Sequence, residues 1–188
     1  MYHLYFTSEL DGFPTTEEML SSLPRTCRER IERYNIHDDR RRSAICYTML
    51  KKALKEHFGT NDFEISCKEH GKPFLSGVDG VYFNISHCKN ACVCVVSDKE
   101  IGVDVQEVRE YSEKTAMKVC CENELAILEK AADKAEEFTK IWAMKESLIK
   151  MHGDGFSYGL KNADTTNSDC TVVSKEGDCF IAVSEKNT

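Results

Sequence analysis

Two periods of apolar residues alternate along this chain, and the switches between them lay out its elements. Tyr2, Leu4 and Phe6 recur at every second position, as do Phe63, Ile65 and Cys67, and Val81, Phe83 and Ile85. Each triplet predicts a strand with one buried face. Residues 91–97 are almost continuously apolar, which predicts a strand buried on both faces, and a second strand from Ile101 to Val108 follows a tight turn at Asp98-Lys99. Further strands are expected near 170–175 and 179–184.

Helical spacing fills the intervals. Thr15 and Glu18 form a capping-box pattern ahead of Met19, Leu20 and Leu23, and Pro24 opens a second, Arg-rich helical piece. A longer helix is expected from Asp39 to about His57, with Ile45, Met49 and Ala53 on its apolar face and Gly59 as its stop. Residues 112–120, 122–131 and 133–151 read as helices, the last ending in a Gly-rich loop, His152-Gly153-Asp154-Gly155. Glu69 to Pro73 reads as a loop.

The second half echoes the first. Cys179–Glu185 resembles Ala91–Asp98, and Trp142–Ser147 resembles Tyr47–Lys52. The expected architecture is α+β: two similar α/β lobes related by an internal pseudo-repeat, residues 1–100 and 101–188. No Pro/Gly/Ser-rich linker parts them, so they are expected to pack as one compact unit.

Composition narrows the class. The 188 residues are 41% hydrophobic, ample for a core, yet no run approaches the roughly 20 apolar residues of a membrane span. The N-terminus lacks the basic region of a signal peptide, so a cytoplasmic protein is expected. The ten cysteines form no disulfide framework and lack the paired C-x-x-C hooks of a zinc site, so they are expected to be reduced and mostly buried. A net charge of −7 argues against general nucleic-acid binding. Residues 25–55 nevertheless carry ten basic residues against four acidic ones, a block that would suit either a solvated helix face or a polyanionic small ligand.

Two segments concentrate the candidate chemistry. In the strand beginning at Ile101, Asp104 and Gln106 share a face. In the helix over 133–151, Ile141, Met144, Leu148 and Met151 form an apolar stripe, while Trp142, Glu146 and Lys150 stack along another side at i, i+4 and i+8. Mg²⁺ is commonly held by one or two carboxylates together with substrate phosphates, which makes Asp104 and Glu146 a candidate pair, with Lys145 or Lys150 to offset phosphate charge.

Gly102-Val103-Asp104 followed by Trp142-x-x-Lys145-Glu146-Ser147-x-x-Lys150 resembles the signature pair of the 4′-phosphopantetheinyl transferase superfamily. Gly71-Lys72-Pro73, Phe83-Asn84-Ile85-Ser86-His87 and Asp39-x-x-Arg42 stand in matching order upstream. The length and the echo between halves resemble the monomeric, pseudo-dimeric Sfp-type branch. The resemblance implies transfer of the phosphopantetheine arm of coenzyme A to a serine of an apo acyl- or peptidyl-carrier protein, with release of adenosine 3′,5′-bisphosphate. It further implies Mg²⁺ on Asp104, Glu146 and Gln106, and catalytic roles for Glu146 and Lys150. Coenzyme A would meet Arg42, Lys72, Pro73, Ser86, His87 and Lys145, with Arg25 or Arg28 as further phosphate contacts. Gln106 departs from the family's commoner acidic residue, and Lys118-Val119-Cys120-Cys121 lacks the phenylalanines that relatives tend to carry there. Two other classes compete: a non-catalytic binder of coenzyme A or carrier protein on the same fold, and a Cys-rich metal or redox protein.

Overall fold

The computed structural model describes residues 1–153 and 159–187. The first half runs β1 (Tyr2–Thr7), α1 (Thr16–Ser22), α2 (Arg25–Ile31), α3 (His37–Phe58), β2 (Glu64–Cys67), β3 (Pro73–Ser76), β4 (Tyr82–His87) and β5 (Cys92–Ser97). The second runs β6 (Ile101–Glu107), α4 (Glu113–Val119), α5 (Glu122–Lys130), α6 (Lys134–His152), β7 (Thr171–Glu176) and β8 (Cys179–Glu185). β3 is not among the expected strands; it begins at Pro73, the last residue of the expected loop at 69–73, and pairs with β2 as a short hairpin. It is four residues of mixed exposure, too short to announce itself by alternation. Of the expected Gly-rich loop, Asp154 and Gly155 lie outside the described residues.

The local signals behave as their chemistry dictates. Thr15 and Glu18 close a reciprocal capping box on α1, and Gly59 ends α3 at φ +66°, a conformation glycine adopts without a Cβ penalty. Asp133 caps α6 by accepting from the amides of Ala135 and Glu136.

Two antiparallel three-stranded sheets carry the same topology. β1, β5 and β4 form one with β5 central; β6, β8 and β7 form the other with β8 central. In each, an edge strand comes first, a long helix follows, and the last strand inserts in the middle. α3 packs on β4 and β5, and α6 packs on β6 and β8. The echo between the halves therefore falls on the two central strands and the two long helices. A shared core of Val93 and Val95, Ile101, Val103 and Val105, and Ile181 and Val183 joins the sheets. Asn84 on β4 adds a polar tie by accepting from the Val103 amide at 3.0 Å. All ten cysteines are free thiols and seven are buried, including Cys46 on the inner face of α3 and Cys92 and Cys94 on β5 in the same core.

Candidate active site

Gly102 sets the distance between strand and helix. A Cβ at this position would lie 2.1 Å from the Ser147 carbonyl oxygen and 2.4 Å from the Met151 amide nitrogen, so the backbones of β6 and α6 approach as only glycine permits. That approach brings Asp104 on β6 up to Glu146 and Lys150 on α6.

Asp104 is 2% exposed and fully engaged. Its Oδ1 accepts from Ser86 Oγ at 2.7 Å and from the Lys150 ammonium at 2.5 Å, and its Oδ2 accepts from Gln106 Nε2 at 2.9 Å. Lys150 also donates to Ser86 Oγ at 3.0 Å. Glu146 forms no hydrogen bond or ion pair among the described residues. Its carboxyl pKa is raised, first by burial and then by the facing Asp104 charge, with Lys150 acting the other way. Two close carboxylates, one unpaired and pushed toward protonation, form a donor set that suits a hard divalent cation, which would relieve the repulsion. Gln106 reaches this pair as a donor to Asp104.

Trp142, Glu146 and Lys150 line one cavity of about 560 Å³ together with Ser86, His87, Asp104 and Gln106. A second, of about 270 Å³, is lined by Gly71, Lys72, Pro73 and Ile85 and shares Glu146 and Lys150 with the first. Burial above all lowers the Lys72 pKa to about 8, and its ammonium donates to the carbonyls of Met151 at 2.7 Å and Ile101 at 3.3 Å. Ser86 and His87 thus face the larger cavity, and Lys72 and Pro73 the smaller. His87 packs edge-on against Tyr34; burial, then Arg42, lower its pKa and favour the neutral ring until an anion arrives. Arg42 pairs with Asp39 at 2.7 Å and donates to the Lys89 carbonyl, while its buried Nε lacks a partner among the described residues.

Lys145, expected at the coenzyme A site, lines neither cavity. It is 0% exposed, pairs with the equally buried Glu124 at 2.7 Å, and donates to the carbonyls of Leu160 and Ala163. One position before Glu146 on a helix lies about a quarter-turn away, so its ammonium points into the packing of α5 and α6 rather than into either cavity.

Arg25 is held in an exposed pair with Glu29, whereas Arg30 and Arg33, with Tyr34, Ser43 and Tyr47, line a cavity of about 380 Å³. That cavity shares Pro73 and Ile85 with the Lys72 cavity, so three hollows join along one face. The basic block on α2 was visible in sequence; which of its arginines turn inward depends on how α2 packs on α3.

Comparison with known proteins places both halves in one family. The sequence profile described as the 4′-phosphopantetheinyl transferase superfamily matches residues 100–184, and that of the 4′-phosphopantetheinyl transferase N-terminal region matches residues 14–100. A 4′-phosphopantetheinyl transferase of Bacillus subtilis is 29% identical over 174 residues, covering 88% of this chain and 78% of its own. The 4′-phosphopantetheinyl transferase Sfp of Bacillus subtilis strain 168 is 28% identical over 165 residues, covering 85% and 73%. The enzyme gsp of Aneurinibacillus migulanus, also named a 4′-phosphopantetheinyl transferase, is 32% identical over 127 residues, covering 65% and 53%.

Proposed function

This chain belongs to the 4′-phosphopantetheinyl transferase superfamily, Sfp-type, and is a transferase; we propose that it moves the phosphopantetheine arm of coenzyme A onto a serine of an apo acyl- or peptidyl-carrier protein. The observation that carries this reading is the meeting of the two cavities at Glu146 and Lys150. A long ligand with a diphosphate at its middle would lie across that junction, its nucleotide end toward Lys72 and Pro73 and its arm in the larger cavity.

Asp104 and Glu146, with Gln106 beside them, would hold Mg²⁺, which when bound supplies charge neutralisation at the coenzyme A diphosphate. The chain's own groups do the rest. Burial makes Glu146 a stronger base than a solvated carboxylate, suited to take the proton of the incoming serine hydroxyl. As the serine oxygen bonds to phosphorus, the bond to the adenosine 3′,5′-bisphosphate oxygen breaks. Lys150 is placed to donate to phosphate oxygens as their charge grows. Arg42 and His87, with Arg30 and Arg33 further along, supply donors for the remaining phosphates.

The chain would act as a monomer in the cytoplasm, and no helix among the described residues is long and apolar enough to cross a membrane. Incubation with coenzyme A, Mg²⁺ and a panel of apo carrier proteins should add the mass of one phosphopantetheine group to at least one carrier. No added mass on any carrier, with coenzyme A still bound, would leave a non-catalytic binder instead.

A further inference from the structure

Cys88 follows directly on β4, Glu107 ends β6 and Cys179 starts β8, and their ligand atoms lie within 4.8 Å of one another. The Cys88 and Cys179 sulfurs are 3.9 Å apart, and Cys88 Sγ is 3.6 Å from Glu107 Oε1. A tetrahedral ion with zinc-like bond lengths separates two sulfurs by roughly 3.8 Å and a sulfur from a carboxylate oxygen by roughly 3.6 Å. The protein has already assembled these spacings. We propose that Cys88, Glu107 and Cys179 form a binding site for a borderline-soft divalent cation of the zinc class, separate from the oxygen-lined Asp104–Glu146 site.

Two further features support a cation here. Glu107 brings one negative charge to the two thiols, and a dication would release the thiol protons as it binds. The Asn90 amide donates to Glu107 Oε1 at 2.7 Å and orients the carboxylate, as supporting hydrogen bonds do around metal ligands.

Access is also provided. Cys88 and Glu107 line the 560 Å³ cavity, while Glu107 and Cys179 line another of about 580 Å³ that carries Glu176 and Asp178. The cluster stands between the two, so a cation could arrive past acidic side chains and complete its shell with water. Once bound, it would tie β4 to β8 beside His87 and stiffen the wall of the transfer site.

Cd²⁺ or Co²⁺ titration reads thiolate ligation directly, because sulfur-to-metal charge-transfer absorption is silent for an oxygen-only site. The purified full chain should bind one equivalent with this absorption and gain in melting temperature. Cys88→Ser/Cys179→Ser should abolish the signal, Glu107→Gln should weaken affinity ~10-fold or more, and the exposed-thiol control Cys67→Ser should leave it unchanged. Absence of the signal in the wild type, or its survival in the folded double variant, would overturn the assignment. If the double variant does not fold, the same readings on Glu107→Gln and on Cys179→Ser alone decide.

Discussion

The Lys150 ammonium sits 2.5 Å from Asp104 Oδ1, although the two residues are 46 apart in the chain and on different kinds of element. Ser86 contacts both partners, so β4, β6 and α6 meet at one oxygen. This convergence depends on the close approach at Gly102.

Gly102→Ala should therefore damage both fold and site. The added methyl meets backbone on two sides rather than a flexible side chain, so α6 must shift. The expected cost is about 1–3 kcal/mol or more in stability. Transfer activity should fall by about 10²-fold even in the folded fraction, because Glu146 and Lys150 move off Asp104. Urea denaturation and steady-state rates check the two parts, and an unaltered rate would separate the strand-helix spacing from catalysis.

Lys145→Met should lower stability by about 3–5 kcal/mol, since Glu124 is left buried without its counter-charge. The apparent KM for coenzyme A of the surviving folded enzyme should stay near that of the wild type. A large KM change at unaltered stability would return Lys145 to the coenzyme A site.

Glu146 links activity to stability in opposite directions. Because burial and Asp104 raise its folded pKa, the native state holds more protons there than the unfolded chain. Stability from this group is present at low pH and is lost as pH rises from the usual carboxylate range through the raised value. Glu146→Gln should then melt higher than wild type at pH 7 without Mg²⁺, the gap closing in acid, while transfer drops about 10²–10⁴-fold. Equal melting temperatures at pH 7 would mean that the carboxylate is solvated rather than set against Asp104.

Lys72 has its folded pKa lowered to about 8. Between that value and the ordinary lysine range the unfolded chain binds the extra proton, so this group makes stability rise with pH across the window. Anion binding should move the other way. Coenzyme A affinity is expected to weaken as pH passes about 8, and Lys72→Gln should bind more weakly with a flatter profile, as read by calorimetry at several pH values.

Gln106→Glu should replace a donor to Asp104 with a third negative charge. The metal-free protein should melt lower, and added Mg²⁺ should raise the melting temperature more than in the wild type. An unchanged Mg²⁺ response would remove residue 106 from the metal's surroundings.

Local patterning was enough to place most elements, from the capping box on α1 to the strand at Ile101–Glu107, because period, caps and glycine stops act over a few residues. It also put Asp104 and Gln106 on one strand face and Trp142, Glu146 and Lys150 on one helix side, as the larger cavity bears out. The hairpin strand β3 escaped because four residues of mixed exposure carry too little periodicity.

By itself, then, the sequence determined the elements, the face each side chain takes on its own element, and the family resemblance carried by Gly102-Val103-Asp104 and the Trp142–Lys150 motif. Tertiary structure alone decided what lies opposite each face. Lys145 and Lys150 are both lysines of one helix, yet one meets Glu124 in the interior and the other meets Asp104 at the cavity. Arg30 and Arg33 turn toward a hollow that Arg25 does not reach, and Cys88 finds Cys179 across 91 residues. The reason is physical: helical and strand periods are set by local backbone geometry, whereas partners distant in sequence meet only when whole elements pack.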